Sequence, residues 1–458
     1  MKKTTFTDYA TEEYCVTNRS LREDNLPTSE GQFDKEVQEN SCNHDENAGV
    51  EFVKVFCPLK DQDSINGLSA YDRIPDGRTF DDELSYDILR GEDKIGENLI
   101  VVMGYGKRIL LECGKALFPD EKTSAIEKMV VKEEYDAVVL THSHEDHSGL
   151  LRRSIAATEI FMGETTLAIL IAKGAICSEN VEKVTIMKSE EPFFVGAIRF
   201  IPHLCDHSTA DSYMIEVSDN EKTILYTGDF RSNGRKSFDA LLRRLPEKVD
   251  LLICEKTTNS EKNETEKYLE EKAADIMKNH KEIFILQSAG NVDRLVSFYH
   301  ACKKTSTQFL MTPLHAQILR HMEHVPNPKT FPDCFLYLPR NINIRVYENL
   351  KRKYGEKLIG RSQIAKKERF AMLISGAMTD YIKNLSVMRD LSNAILIYSL
   401  WSGYKDDMKK ILSFMEDLGV KIVDLHVSGH ADKASIDALI SRTHPTKTIF
   451  VHTSLPSN

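Results

Sequence analysis

The 458-residue chain has no run approaching the ~18 consecutive apolar residues that a membrane-crossing helix needs, which argues against a bilayer-spanning protein. Its opening, "MKKTTFTDYATEEYC", has two lysines but no apolar segment behind them, so a secretory signal is not expected. Cysteine is scarce and unpatterned. The nine residues (Cys15, Cys42, Cys57, Cys113, Cys177, Cys205, Cys254, Cys302, Cys334) are odd in number and never spaced C-x-x-C. That fits reduced thiols in a cytoplasmic protein better than a disulfide framework or a zinc knuckle. A basic excess is also missing, since the net charge is −10. The first fifty residues carry 11 acidic against 5 basic side chains, however, so the rest is nearly neutral and can still hold a local basic groove. Internal repeats and low-complexity tracts are absent.

What is present is 41% hydrophobic residues, enough for a large core. Residues 1–50 read as a disordered acidic tail. "EFVKVFCPL" (51–59) is strand-like, and 60–96 reads as an acidic, weakly patterned insertion. A hairpin follows, "NLIVVM" (98–103) and "RILLEC" (108–113) around "GYGK". Buried-type strands are expected at 135–140, 159–163, 183–187, 197–202, 212–217, 223–230 and 249–255. After Glu255 the pattern changes to an amphipathic helix over 260–281, then strands and helices in alternation. This predicts a doubly wound α/β unit to about residue 400. Helix, strand, helix and strand close the chain at 407–419, 420–429, 433–444 and 447–453.

The densest chemistry is "THSHEDHSG" (141–149), which follows the strand "YDAVVL" directly. His142 and His144 are two apart, so in extended backbone they point to one side and can share an ion. Asp146 and His147 follow at the turn and can face a second. Imidazole and carboxylate together suit zinc. Further donors are needed. "PHLCDHSTADSYMI" offers His207 before a strand, and "ILYTGDF" ends a strand in Gly228-Asp229, where a carboxylate can bridge two cations.

"HSHEDH", then His207, then "GD" resembles the metallo-β-lactamase fold, an αββα sandwich with a two-metal hydrolase site. His144 stands where the oxygen-reductase branch has Glu. Three more features, Glu255 in "LLICEKT", His430 in "HVSGHAD" and His452 in "IFVHT", look like motifs A, B and C of the β-CASP nucleases, the ribonuclease J-like branch. That resemblance covers about residues 90–458. It implies a metallo-β-lactamase domain at 51–258 carrying the 60–96 insertion, an inserted β-CASP domain at 259–402, and a return to the first domain at 403–458. It implies two zinc ions, with manganese or magnesium as alternatives. His142, His144 and His207 would hold one, Asp146, His147 and His452 the other, and Asp229 both.

Catalysis would rest on Asp146, His430 and Glu255. Asp146 would hold the proton of the attacking water, His430 would serve the leaving oxygen, and Glu255 would fix its tautomer. His426, Ser428, Gly429 and His430 resemble a substrate-phosphate clasp. Ser288 and Asn291, at a strand-to-helix turn, would present polar groups to a phosphate. The basic stretch 353–370 is an electrostatic track or a solvated helix face. One departure from the family is that Ser375-Gly376 lacks the glycines that usually follow.

The implied function is zinc-dependent phosphodiester cleavage of nucleic acid by a metal-activated hydroxide, with RNA ahead of DNA. Endonuclease and 5′-exonuclease action both remain open, as does a homodimer. Two alternatives stand beside it: a small-molecule metallo-hydrolase acting on thioesters or lactones, and a non-catalytic scaffold partner of a nuclease.

Overall fold

A computed structural model describes residues 83–453 except 93, 118–119, 323–324, 340–341 and 343. The acidic tail at 1–50, the strand expected at 51–59 and most of the 60–96 insertion lie outside the described residues.

Short apolar runs build three sheets. β1 (Ser85–Arg90), β2 (Leu99–Gly104), β3 (Lys107–Leu111), β4 (Glu134–Val139), β5 (Ala156–Met162) and β6 (Val184–Ile186) pair in that order. The first two pairings are antiparallel and the rest parallel. The second sheet holds β7 (Phe193–Val195), β8 (Ile198–Cys205), β9 (Ser212–Ser218), β10 (Thr223–Tyr226) and β11 (Leu251–Glu255). The third is wholly parallel. It contains β12 (Glu282–Leu286), β13 (Gln308–Met311), β14 (Cys334–Tyr337), β15 (Leu358–Ile359), β16 (Phe370–Ile374), β17 (Ile395–Tyr398) and β18 (Lys421–Asp424). Their spatial order is β15-β14-β13-β16-β12-β17-β18. The last strand, β19 (Lys447–Val451), returns to the second sheet and runs parallel to β11.

Strand periodicity sets the layers. In β2, Ile100 and Val102 face the core between the first two sheets, while Leu99 and Val101 face the helices outside. Helices Glu121–Lys132 and Glu164–Ala172 cover the first sheet, and Phe238–Arg244 and Lys433–Thr443 the second. The result is an αββα sandwich. The third sheet alternates likewise: Ile283 and Ile285 of β12 face one core, Phe284 and Leu286 the other. Both faces are buried under helices, as continuous apolar strands require.

Three expectations change. The segment 60–96 is not unpatterned throughout, because residues 85–90 form β1 and pair with β2. The inserted unit does not end at 402. After β17 the chain passes through helix Lys409–Asp417 and returns as β18, parallel to β17, so one more βαβ turn belongs to the third sheet. β14 and β15, four and two residues long, are too short to show a strand period in the sequence. The basic stretch 353–370 spans a helix end, β15 and a short helix at the sheet edge farthest from β18. Lys367 lies 3.9 Å from the centre of the Phe335 ring and Arg361 5.5 Å from that of Tyr381, so the stretch is not a single solvated helix face.

Among the described residues no helix is long and apolar enough to cross a membrane, and Cys113, Cys177, Cys205, Cys254, Cys302 and Cys334 are free thiols.

Candidate metal centre

Parallel register brings the strand ends together. Glu255 of β11 lies beside Val451 of β19, and Ile253 beside Tyr226 of β10. The residues that follow these strands therefore leave the sandwich at one rim. The Tyr213 amide of β9 donates to the Thr141 carbonyl at 3.1 Å, joining that rim to the end of β4. The stretch after β4 is extended through His144 and then makes one helical turn, Glu145–Ser148, which turns Asp146 and His147 back toward the histidines. Gly114 permits this turn, because a Cβ there would lie 1.9 Å from the Asp146 carbonyl oxygen. Gly228, at φ +51°, leaves room for the Thr141 side chain.

All seven side chains expected to bind metal converge. His144 Nδ1 is 3.1 Å from His142 Nε2 and 3.1 Å from His207 Nε2. His452 Nε2 is 3.0 Å from Asp146 Oδ2, and His147 Nε2 is 4.0 Å from the same oxygen. Asp229 Oδ2 lies between the two groups. It is 3.7 Å from His142, 3.5 Å from His207, 3.3 Å from His147 and 3.7 Å from His452. His142, His144, His207 and Asp229 form one set of donors within mutual reach, and Asp146, His147 and His452 another.

The second nitrogens of four rings have fixed partners. His142 Nδ1 meets Thr141 Oγ1 at 2.9 Å, and His147 Nδ1 meets Glu112 Oε1 at 3.2 Å. His207 Nδ1 donates to the Gly429 carbonyl at 2.5 Å, and His452 Nδ1 meets Thr257 Oγ1 at 2.7 Å. Each ring thus turns Nε2 toward the common centre, as outer partners do around a metal. Asp229 Oδ1 is buried with no hydrogen-bond partner among the described residues. Nitrogen and carboxylate donors so arranged fit zinc or a similar divalent cation. His452 and Glu112 both have left-handed backbone, at φ +53° and +65°, a conformation L-residues rarely keep unless their surroundings hold it.

The electrostatics suit ligation at His142, His144 and His207, whereas at His147 burial is outweighed by the carboxylates of Asp229, Asp146 and Glu112, which raise the ring well above its usual value. Burial, reinforced by neighbouring imidazoles, holds His142 and His207 well below the usual histidine value, and burial takes His144 down to about 4. These rings stay neutral, the form that binds metal. Burial opposes ionisation of Asp146 and Asp229, but the facing imidazoles, His147 foremost, outweigh it and keep both carboxyls well below their usual range. Burial likewise opposes charge on His430, yet Glu255 and Asp229 raise it to about 9.

His430 Nδ1 is 3.1 Å from Glu255 Oε2 and 3.6 Å from Asp229 Oδ2. Glu255 is fully buried; its Oε1 also accepts from the Phe230 amide at 2.8 Å and its Oε2 from Thr257 Oγ1 at 2.7 Å. The carboxylate is therefore fixed and in turn fixes the ring. The 426–430 segment is anchored on both sides. Ser428 Oγ accepts from the His430 amide at 3.1 Å, and a Cβ at Gly429 would strike Ser208 at 2.5 Å. Arg294 donates to the Val427 carbonyl at 2.9 Å, and Arg231 to that of Ser428 at 3.3 Å. Both guanidiniums are completely buried and share Glu266, so one ion network links the sandwich, the third sheet and this segment. His426 is more peripheral, its Nδ1 3.2 Å from the Ser399 carbonyl.

Of the pair expected at the strand-to-helix turn, Asn291 is buried and its Oδ1 caps helix Val292–Lys304 through the Arg294 amide at 3.0 Å, a structural role in place of an open phosphate contact. Ser288 lends only its carbonyl, to the Asn291 amide. Sequence reasoning missed Glu112, Thr141, Thr257 and Asn98, whose Nδ2 is 3.1 Å from His147 Nε2. Glu112 directly follows an apolar strand, the same kind of position that Glu255 holds at the end of β11.

Residues 107–281 match the family described as "Beta-lactamase superfamily domain", and 417–456 match "Zn-dependent metallo-hydrolase RNA specificity domain". Curated relatives include proteins named Ribonuclease J. That of Sinorhizobium meliloti is 23% identical over 403 residues, covering 81% of this chain and 69% of its own. That of Corynebacterium glutamicum is 24% identical over 430 residues, covering 85% and 56%, and that of Mycobacterium tuberculosis 28% over 209, covering 42% and 37%. In the latter two the match spans well under two thirds of the relative. A crystal structure of a protein of unknown function from Enterococcus faecalis V583 has the same fold, with a TM-score of 0.65 at 17% identity over 81% of this chain and 94% of that one.

Proposed function

From the premise that the chain belongs to the metallo-β-lactamase superfamily and is a ribonuclease J-like member of its β-CASP branch, we propose that it is a two-zinc phosphodiesterase that cleaves RNA. The observation that carries this reading is the His430–Glu255 pair, 3.1 Å apart, set against Asp229 of the seven-donor cluster. A generic ester hydrolase needs the cluster but not that pair.

His142, His144 and His207 would hold one ion, Asp146, His147 and His452 the other, and Asp229 both. Bound there, the cations would supply Lewis-acid charge beside the phosphoryl oxygens and lower the pKa of a water. The chain's own groups do the rest. Asp146, fixed at 3.0 Å from His452, would accept the proton of the attacking water. His430 has Nδ1 committed to Glu255, which leaves Nε2 to give a proton to the leaving oxygen. The amides of Ser428 and Gly429 would hold a non-bridging oxygen. The buried Arg231–Glu266–Arg294 network would keep that segment in register with the metal ligands.

The test is incubation of zinc-loaded protein with end-labelled RNA and DNA, each with 5′-hydroxyl or 5′-phosphate ends. Chelator-sensitive cleavage of RNA is expected, and the product ladder reads direction. Hydrolysis of thioesters or lactones with intact RNA would replace the proposal with the small-molecule reading. A chain that takes up no zinc would leave the scaffold.

A further inference from the structure

The chain has one tryptophan, and it is exposed. Trp401 and Tyr404 leave 51% and 43% of their surface open, although large aromatic rings cost most when left in water. Their ring centroids are 5.4 Å apart and the planes meet at 86°. The edge-on contact leaves about half of the Trp401 surface open to solvent.

The loop that carries the pair is held firmly. Tyr398 Oη donates to the Trp401 carbonyl at 3.0 Å, and the Tyr404 amide donates to the same oxygen at 3.1 Å. The indole lies over Gly403, where a Cβ would fall 2.2 Å from a ring atom. Lys405 pairs with Asp424 at 2.9 Å, and Met408 Sδ lies 2.9 Å from where a Cβ on Gly376 would stand. A fixed aromatic surface costs little entropy when a ligand lands on it.

Its place in the fold links it to the metal centre. The loop leaves the C-terminal end of β17, beside β18, whose outgoing chain is the 426–430 segment. Ser399, two residues before Trp401, donates from Oγ to the Leu425 carbonyl at 2.6 Å and also meets Arg294 and His426.

We propose that Trp401, braced by Tyr404, is a stacking platform for one nucleobase of the substrate strand next to the cleavage position. The proposal rests on the nuclease reading and names what part of the substrate the site grips. The exposed carboxylates of Asp406 and Asp407 are balanced by the exposed Lys409 and Lys410, so local charge does not draw the phosphate backbone onto the rings, and their aromatic surface suits a base. Stacking uses a π-face that every base has, so the grip is indifferent to sequence.

The test uses the zinc-loaded 458-residue chain and short single-stranded RNA, unmodified or with one abasic position moved along it. Trp401→Ala should keep zinc content and melting temperature while kcat/KM falls roughly tenfold, the scale of one lost base stack. Trp401→Phe should recover most of that loss. An abasic site at one position should weaken the wild type and leave Trp401→Ala unchanged. RNA should quench the fluorescence of the wild type, whose single tryptophan reports on this ring alone. If the wild type cleaves RNA and Trp401→Ala matches it on every substrate, the platform is refuted and the nuclease reading stands. If Trp401→Ala instead turns a dimer into a monomer, with no position-specific abasic effect, the ring belongs to a contact between copies and the proposal falls. If the wild type neither binds nor cleaves RNA, both readings fall.

Discussion

Glu112→Gln isolates the support of the metal centre from its ligands. Glu112 is fully buried at the end of β3. Oε1 faces His147 Nδ1 at 3.2 Å and the Thr141 hydroxyl, and Oε2 accepts from the Thr141 amide at 3.3 Å. Truncation to alanine would strand three donors, at about 1–3 kcal/mol each, for a total of about 3–9 kcal/mol against a typical stability of about 5–15. That variant would report folding only. Glutamine keeps the volume and one acceptor but removes the charge, at about 1.5–3 kcal/mol. Outer partners of ligating histidines are worth about 10- to 100-fold in metal affinity, or about 1.4–2.8 kcal/mol. Zinc titration against a competing fluorescent chelator should therefore show the His147 set weakened by about 10- to 100-fold. The set of His142, His144 and His207 should change less, since Glu112 is hydrogen-bonded to it only by way of Thr141. A folded Glu112→Gln chain that binds both ions with wild-type affinity would refute the reasoning.

His430→Ala should retain zinc and lose at least about a hundredfold in RNA cleavage, as removal of a proton donor does; near-normal rates would remove it from the chemistry. Gly114→Ala should fail to hold the Asp146 turn, because the new methyl lies 1.9 Å from a carbonyl oxygen, and it should be read by loss of soluble, zinc-binding protein. Arg294→Ala leaves Glu266 buried with two of its four side-chain hydrogen bonds gone and should destabilise the fold by about 3–5 kcal/mol in urea unfolding. Stripping zinc with a chelator should lower the melting temperature, since an ion present at about 1,000 times its Kd adds about 4 kcal/mol.

Much of this centre can be read from strand ends. "YDAVVLTHSH" passes from buried strand to ligands without an intervening loop, and "ILYTGD" and "LLICE" do the same. A polar donor at the end of an apolar strand signals a residue delivered to a rim. Glu112 carries that signal too, but its partners lie in other strands, and nothing local tells a supporting carboxylate from a solvated one. Asn291 shows the opposite limit: one pattern serves a helix cap and a phosphate site, and only the buried Oδ1 contact separates them. β18 was assigned to the wrong sheet because it abuts the "HVSGHA" motif, while its partner β17 lies before a helix. Exposure of a single ring such as Trp401 has no periodic signature in a sequence.

The most direct measurement is anomalous diffraction from zinc-loaded crystals at the zinc absorption edge. Two peaks are expected, flanking Asp229, one ringed by His142, His144 and His207 and the other by Asp146, His147 and His452. A single peak, or one at the free thiols with the histidine cluster empty, would contradict the two-cation centre.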